Sequence, residues 1–461
     1  MEFSFDIMSY FLILYGIIGT ILIGVVALKP RLFWPILIMV TVGTAGVMVG
    51  GKYTFLDEYL AGCILFGGFL AISMGATTLR KSQEDIWNQF HRWIFLLMVV
   101  YMIAQSFRGL IVLESLRKIR WVVYYGMLGI IAFIISKKGF PVPNARKLLL
   151  IISGSALVYL IIYLAHGVFT EVVRGISRFE VQPGEWSTSA YALFPLVITV
   201  PSAIFLIRDR SYKYRQVGWA TLIVAILASF YYFSRVGSLV IFGFLFVSLF
   251  KMGFRRVIFL LLCFIFIFSL YFGVSSRTEL AEGASSFFRG ELLGSAQSIL
   301  SRDLAKVDVG RMAHLQSGFV SIMENWKSFL FGYGFRTHGF IIGSHLAEAY
   351  EDIGLTELAK RVKVKESVST EGFSALLIDA GLVGMLFLGA NFLFVARDIL
   401  FKKKHPHRII LLLSLLFAFL WLLVINMVDI MLFYLMIMPN GLLLQLSRYP
   451  VAGQPFEGEL A

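Results

Sequence analysis

The chain has 461 residues, of which 58% are hydrophobic, 15% aromatic and only 15% charged, with a mean hydropathy of +0.82. Soluble domains run near 45–50% apolar and about a quarter charged, so a soluble enzyme and a disordered chain are excluded. Cys63 and Cys263 are the only cysteines and both sit in apolar runs, so a secreted disulfide scaffold is excluded too. What remains is a polytopic membrane protein whose net charge of +13 has to be located relative to the bilayer before it is read as nucleic-acid or substrate binding.

Spanning helices need about 20 mainly apolar residues. In chain order such runs lie near 8–28, 33–50, 58–77, 91–107, 121–136, 147–167, 190–207, 217–233, 236–250, 257–275, 373–396, 409–427 and 430–447. The expectation is an all-α protein of about thirteen spans, twelve to fourteen at the limits. Met1–Ile7 has two acids and no basic residue, so no cleavable signal is expected. Four basic clusters set the orientation: Lys137, Lys138, Arg146 and Lys147; Arg208, Arg210, Lys213 and Arg215; Lys251, Arg255 and Arg256; Arg397, Lys402, Lys403, Lys404 and Arg408. All four alternate correctly as cytoplasmic loops, with the N-terminus outside and the C-terminus inside. The segment 108–120, with Arg108, Arg117, Lys118 and Arg120 against Glu114, then falls outside. It reads either as an amphipathic interfacial helix or as a miscount of one span.

Four regions follow: N-terminal helices over 1–167, central helices over 168–275 with a small outer segment at 168–189, a large outer segment over 276–372, and C-terminal helices over 373–461. Residues 276–372 hold eleven Lys and Arg against twelve Asp and Glu. The basic excess therefore belongs to the cytoplasmic clusters and is a topology signal. A segment of this length with helix-like stretches is expected to carry function, which puts chemistry on the outer face. The chain has no internal repeat, no Walker A pattern, no HExxH and no DxD pair, and no metal site or cofactor is expected.

Arginines near outer helix ends are the candidates for holding phosphate, because a guanidinium offers paired donors to phosphate oxygens. They are Arg178, Arg235, Arg311 and Arg336, with Arg174, Arg277, Arg289 and Arg302 nearby. Arginine at such places also snorkels to lipid headgroups. Arg235 stands apart because it interrupts two adjacent apolar runs, where a charge is expensive. Arg311 opens a helix-like run in which Leu315, Phe319, Ile322 and Trp326 recur at helical spacing. Gly332-Tyr333-Gly334 then makes a tight turn expected to position substrate. Glu371 stands at the start of the apolar run from 373, where a carboxylate can act as a base or simply cap the helix. His314, His338 and His345 are the other outer candidates for a base near neutral pH.

Taken together these motifs resemble the O-antigen ligase and Wzy-type polysaccharide polymerase superfamily of bacterial inner-membrane glycosyltransferases. The resemblance covers roughly 170–390. It rests on Arg178 before Tyr191-Ala192-Leu193-Phe194-Pro195, on Ser234-Arg235-Val236-Gly237, on Gly310-Arg311, Trp326 and Leu330-Phe331-Gly332-Tyr333-Gly334-Phe335, and on Leu377-Ile378-Asp379-Ala380-Gly381-Leu382-Val383-Gly384. Where the ligases carry a histidine–asparagine pair this chain has Thr370-Glu371. Many polymerases of the superfamily carry an acid there, which favours polymerase over ligase. The resemblance implies a metal-independent, inverting transfer at the periplasmic face from an undecaprenyl-diphosphate-linked glycan to a lipid-linked acceptor. Arg178, Arg235, Arg311 and Arg336 would hold the diphosphate, with Glu371 as base and His338 or His345 in reserve. Membrane lipids and a chain-length regulator are the further partners implied, and nucleic acid is not. The alternatives are a ligase acting on lipid A-core or a protein hydroxyl, and a flippase. Most helices are bare of charge except at their ends, which argues against the flippase.

Overall fold

The computed structural model describes residues 7–44, 56–75, 89–112, 145–174, 195–231, 309–352 and 372–401, with short stretches at 240–244, 359–363 and 412–419, single positions such as Arg336 excepted. Among these residues every regular element is a helix. Helices close their own backbone hydrogen bonds, which is what hydrocarbon demands of a segment that enters it. The expected spans at 121–136, 257–275 and 430–447 lie outside the described residues.

Helix α1, Ile7–Leu28, exposes Ile13, Ile17 and Ile21. A single helical turn at Pro30–Leu32 follows, with proline at the first position, where an N–H has no intrahelical partner to lose. The chain bends there by 117° into α2, Phe33–Gly43. Thr44 follows it at φ −123° and ψ 12°, outside helical space, with its N–H and hydroxyl both directed at Val40 O; the remainder of the apolar run to 50 lies outside the described residues. Helix α3, Leu56–Ser73, packs on α1 so closely that a Cβ on Gly67 would lie 2.7 Å from Ile23 O.

Helix α4 is Gln89–Val112 and α5 is Ala145–Arg174. The latter runs seven residues into the segment expected to begin at 168. Helix α6, Leu196–Ile207, is buried at every position and is the centre of the main core. Helix α7, Tyr212–Tyr231, starts within a basic cluster, earlier than the apolar run at 217. The Thr221 hydroxyl joins α7 to α5 through Ser153 O at 3.1 Å. At one end of this group Arg146 grips Asp209 with two bonds, Nε to Oδ2 at 2.8 Å and the second guanidinium nitrogen to Oδ1 at 2.5 Å. Two of the basic clusters therefore meet at the same end of the bundle.

Among the described residues, Arg146–Phe169 and Gly372–Phe394 are long and apolar enough to cross a membrane, and α1 with α2 makes a third if the bent pair is one broken span. Tyr59–Ser73, Leu96–Val112 and Leu196–Ile207 are shorter apolar helices. Large apolar side chains such as Val158, Ile161, Leu386 and Leu393 point outward. The outer surface of these helices thus carries large apolar side chains, the sorting suited to helices that meet lipid.

Candidate functional site

The site is built where a compact helical segment meets a long helix that is broken near its start. The segment comprises α8, Val309–Met323; α9, Trp326–Phe331; α10, His338–Ile341; and α11, Gly343–Asp352. The long helix, α12, runs Gly372–Phe401. Asn325 starts α9 in the usual capping geometry, its side-chain oxygen accepting from Lys327 N at 2.9 Å. The apolar residues that recur along this stretch do not form one buried stripe. Ile322 is buried, but Phe319 and Trp326 are exposed, and the inward face of α8 is made of Ala313, Ser317, Gly318 and Ser321. Small residues let α8 lie directly on α12, where a Cβ on Gly318 would meet Ser374 at 3.1 Å and the Ser374 hydroxyl donates to His314 O.

Helix α12 breaks at Gly381, whose φ of 61° and ψ of −169° lie outside helical space. A break removes the partners of the carbonyls just before it, and three successive ones are taken up by other parts of the chain. Tyr333 N–H donates to Ile378 O at 2.7 Å, Gly334 N–H to Asp379 O at 3.0 Å, and the Tyr101 hydroxyl of α4 to Ala380 O at 2.5 Å. The Gly332-Tyr333-Gly334 turn is therefore inserted into the broken helix like a strand into an edge. Gly332 and Gly334 both have positive φ, and a Cβ on Gly332 would lie 2.6 Å from Ile378 O and from Asp379 C and O. Phe335 N–H continues the pairing, donating to Gln105 O of α4 at 3.0 Å. The C-terminal end of α4, where Gly109 abuts Phe335, thus lies beside the 309–352 segment.

This insertion delivers Thr337 and His338 to the side chain of Asp379, which is fully buried. Its Oδ1 accepts from His338 N at 2.8 Å and from Thr337 N at 3.1 Å. The Thr337 hydroxyl lies 3.2 Å from Oδ1 and 2.7 Å from Gly334 O, and its one proton serves one of them at a time. Oδ2 faces His338 Nδ1 at 2.7 Å. A buried carboxyl needs protein donors in place of water, and two backbone amides and the ring supply them here. When Nδ1 donates to Oδ2, the ring lone pair is on Nε2. The His338 side chain is 12% exposed, so the ring sits at the rim of the buried network.

A second polar group adjoins the first through Tyr333. Its hydroxyl donates to Ser321 O at 3.0 Å and lies 3.3 Å from Glu324 Oε2, while Glu324 Oε1 faces His345 Nε2 at 2.9 Å. His314 is elsewhere, its Nε2 3.2 Å from the Tyr350 hydroxyl.

The structure therefore brings Gly332, Tyr333, Gly334 and His338 into one constellation and places His345 next to it. Arg311 is in the first turn of α8, and its side chain lies outside the described residues, as do Arg178, Arg235, Arg336 and Glu371. Sequence reasoning missed Asp379, Glu324 and Tyr101. Asp379 carried a usable signal: it is an ionisable residue inside an apolar run long enough to span, and such a residue marks a site by default. Tyr101 carried none, being 279 residues from the carbonyl it satisfies. Comparison with protein families, with curated proteins and with solved structures gives no match.

Proposed function

We propose that the protein is a polysaccharide repeat-unit polymerase of about thirteen spans in a bacterial inner membrane, working at the periplasmic face. The observation that supports a transferase most directly is the His338–Asp379 pair. A histidine whose Nδ1 is held by a buried carboxylate is oriented with Nε2 free of that bond, which suits it to take a proton from an attacking hydroxyl. In the reaction, a sugar hydroxyl of the lipid-linked acceptor loses its proton to the base as its oxygen bonds the anomeric carbon of the donor. The bond from that carbon to the diphosphate oxygen breaks, the configuration inverts, and undecaprenyl diphosphate leaves with the electron pair. Arg178, Arg235, Arg311 and Arg336 carry the diphosphate charge in this reading. The Gly332-Tyr333-Gly334 turn positions substrate indirectly, by holding His338. The geometry favours His338 as base, with Glu371 the second candidate and His345, beside Glu324, the third.

The reading is tested with purified protein in nanodiscs and lipid-linked repeat units, read as a ladder of polymer lengths on a gel. Wild type gives a ladder, and His338→Ala and Arg235→Ala give none while the protein remains folded. Wild-type chain lengths in both variants would sink the assignment. The alternative, a ligase handing polymer to lipid A-core or a protein hydroxyl, uses the same base. A deletion strain separates the two: loss of a polymerase leaves single repeat units on the surface, whereas loss of a ligase leaves long polymer on the carrier lipid. A flippase predicts that carrier-linked units fail to reach the outer leaflet at all.

A further inference from the structure

We infer that α8 and the start of α9 lie in the membrane interface, with the outward face of α8 immersed in lipid. Three observations converge on this. The first is side-chain sorting. Helix α8 lays Gly318 against Ser374 of α12 and buries Ala313, Ser317, Ser321 and Ile322, while Phe319, Val320 and Met323, the last 68% exposed, point outward. Water-facing helices sort the other way, and contiguous exposed apolar groups of this size mark a contact surface. Small residues between helices with large ones outside is the packing of helices whose solvent is hydrocarbon.

The second observation is depth. The apolar span of α12 begins at Gly372, and Phe319 of α8 packs on Phe373, with ring centroids 6.1 Å apart. The loop that follows α9 pairs with Ile378 and Asp379, which at the helical rise of 1.5 Å per residue is about 10 Å further into the span. A segment that touches α12 both at the edge of its span and below that edge cannot stand clear of the bilayer. The third is the anchor at the end of α8. Trp326 is 65% exposed and carries the Lys327 ammonium over its ring at 5.8 Å. An amphipathic aromatic beside a cation is the pair that settles at the headgroup level. The occupant of this face is therefore the acyl–headgroup boundary of the bilayer. The inference needs only the membrane-spanning character of α12 and does not depend on the transferase reading.

The test is spin-label accessibility in the full-length protein in nanodiscs. Val320→Cys and Met323→Cys are labelled in a background with Cys63→Ala and Cys263→Ala. Glu348→Cys on α11 serves as the water reference and Leu386→Cys on α12 as the lipid reference. The expected result is an oxygen-to-nickel-chelate accessibility ratio at 320 and 323 several-fold above that at 348 and approaching that at 386. A ratio equal to that at 348 overturns the inference, and so does exclusion of both probes, which would mean that protein covers the face. Should the cysteine-free background not fold, lipids brominated near the headgroup give the same answer without it. Quenching must then fall between wild type and Trp326→Phe, and equal quenching in the two overturns the inference.

Discussion

Gly332→Ala tests the inserted turn directly. At φ 67° and ψ −168° the backbone occupies a region almost closed to residues with a Cβ, which costs about 1–3 kcal/mol. The new Cβ would also sit 2.6 Å from Asp379 C and O and from Ile378 O. These are backbone atoms of a packed helix, so relief comes from shifting the turn, at about 1–3 kcal/mol more. Together these make about 2–6 kcal/mol against the inserted state. The amides that report the loss are those of Tyr333 and Gly334, whose bonds to Ile378 O and Asp379 O hold the turn in place. Hydrogen exchange of peptides covering 330–340 should accelerate at least about thirtyfold, since 1.4 kcal/mol is a factor of ten in the opening equilibrium. Gly154→Ala is the control, because its Cβ meets nothing within 4 Å in the middle of α5. Unchanged protection across 330–340 in a folded Gly332→Ala protein would refute the reasoning.

Other substitutions separate roles that the structure combines. Asp379→Asn keeps an oxygen for the amides of Thr337 and His338 but replaces the oxygen that faces the ring with an amide nitrogen. On the proposed transferase reading, polymer formation should fall about a hundredfold or more, with little change in exchange over 337–341; parallel losses in both would mean that the carboxylate only caps α10. Arg146→Ala strips the bidentate partner from Asp209, whose side chain is 3% exposed, and should cost up to about 3 kcal/mol. The double variant with Asp209→Ala should recover part of the unfolding midpoint in detergent, and no recovery would deny the coupling. Tyr101→Phe leaves Ala380 O without its donor, a loss of about 1 kcal/mol or somewhat more inside the span. It should loosen exchange at 333–335, where Tyr333 and Gly334 bond the two carbonyls just before Ala380, while leaving α5 to α7 unaffected.

How legible the molecule was follows the range of the interactions involved. The long apolar runs read correctly as helices at α1, α3, α4, α5 and α12, because lipid leaves the backbone few choices. Their ends read less well: α5 continues to Arg174 and α7 begins at Tyr212, since apolarity marks where hydrocarbon lies and not where a helix stops. The turn at Gly332-Tyr333-Gly334 was legible because glycine spacing is local, whereas its place inside α12 is a contact between distant parts of the chain. Gly381 looked like one more glycine in an apolar helix, and only the neighbouring amides show that it is a break. The run from Leu315 to Trp326 was legible as a helix over most of its length, whereas which of its apolar residues are covered depends on distant neighbours: Ile322 is buried and Phe319 and Trp326 face outward.

The break in α12 also gives the chain an order of assembly. Each unpaired backbone group in hydrocarbon costs several kcal/mol, so α12 entering a bilayer alone would carry the open carbonyls of Ile378, Asp379 and Ala380 with it. Their partners, Tyr101 and the Tyr333–Gly334 amides, precede α12 in the chain and leave the ribosome before it. Helix α12 therefore has a dock waiting when it emerges. A chain truncated before Ala145 and joined to α12 would insert it poorly for want of the 309–352 segment, although its hydropathy is unchanged.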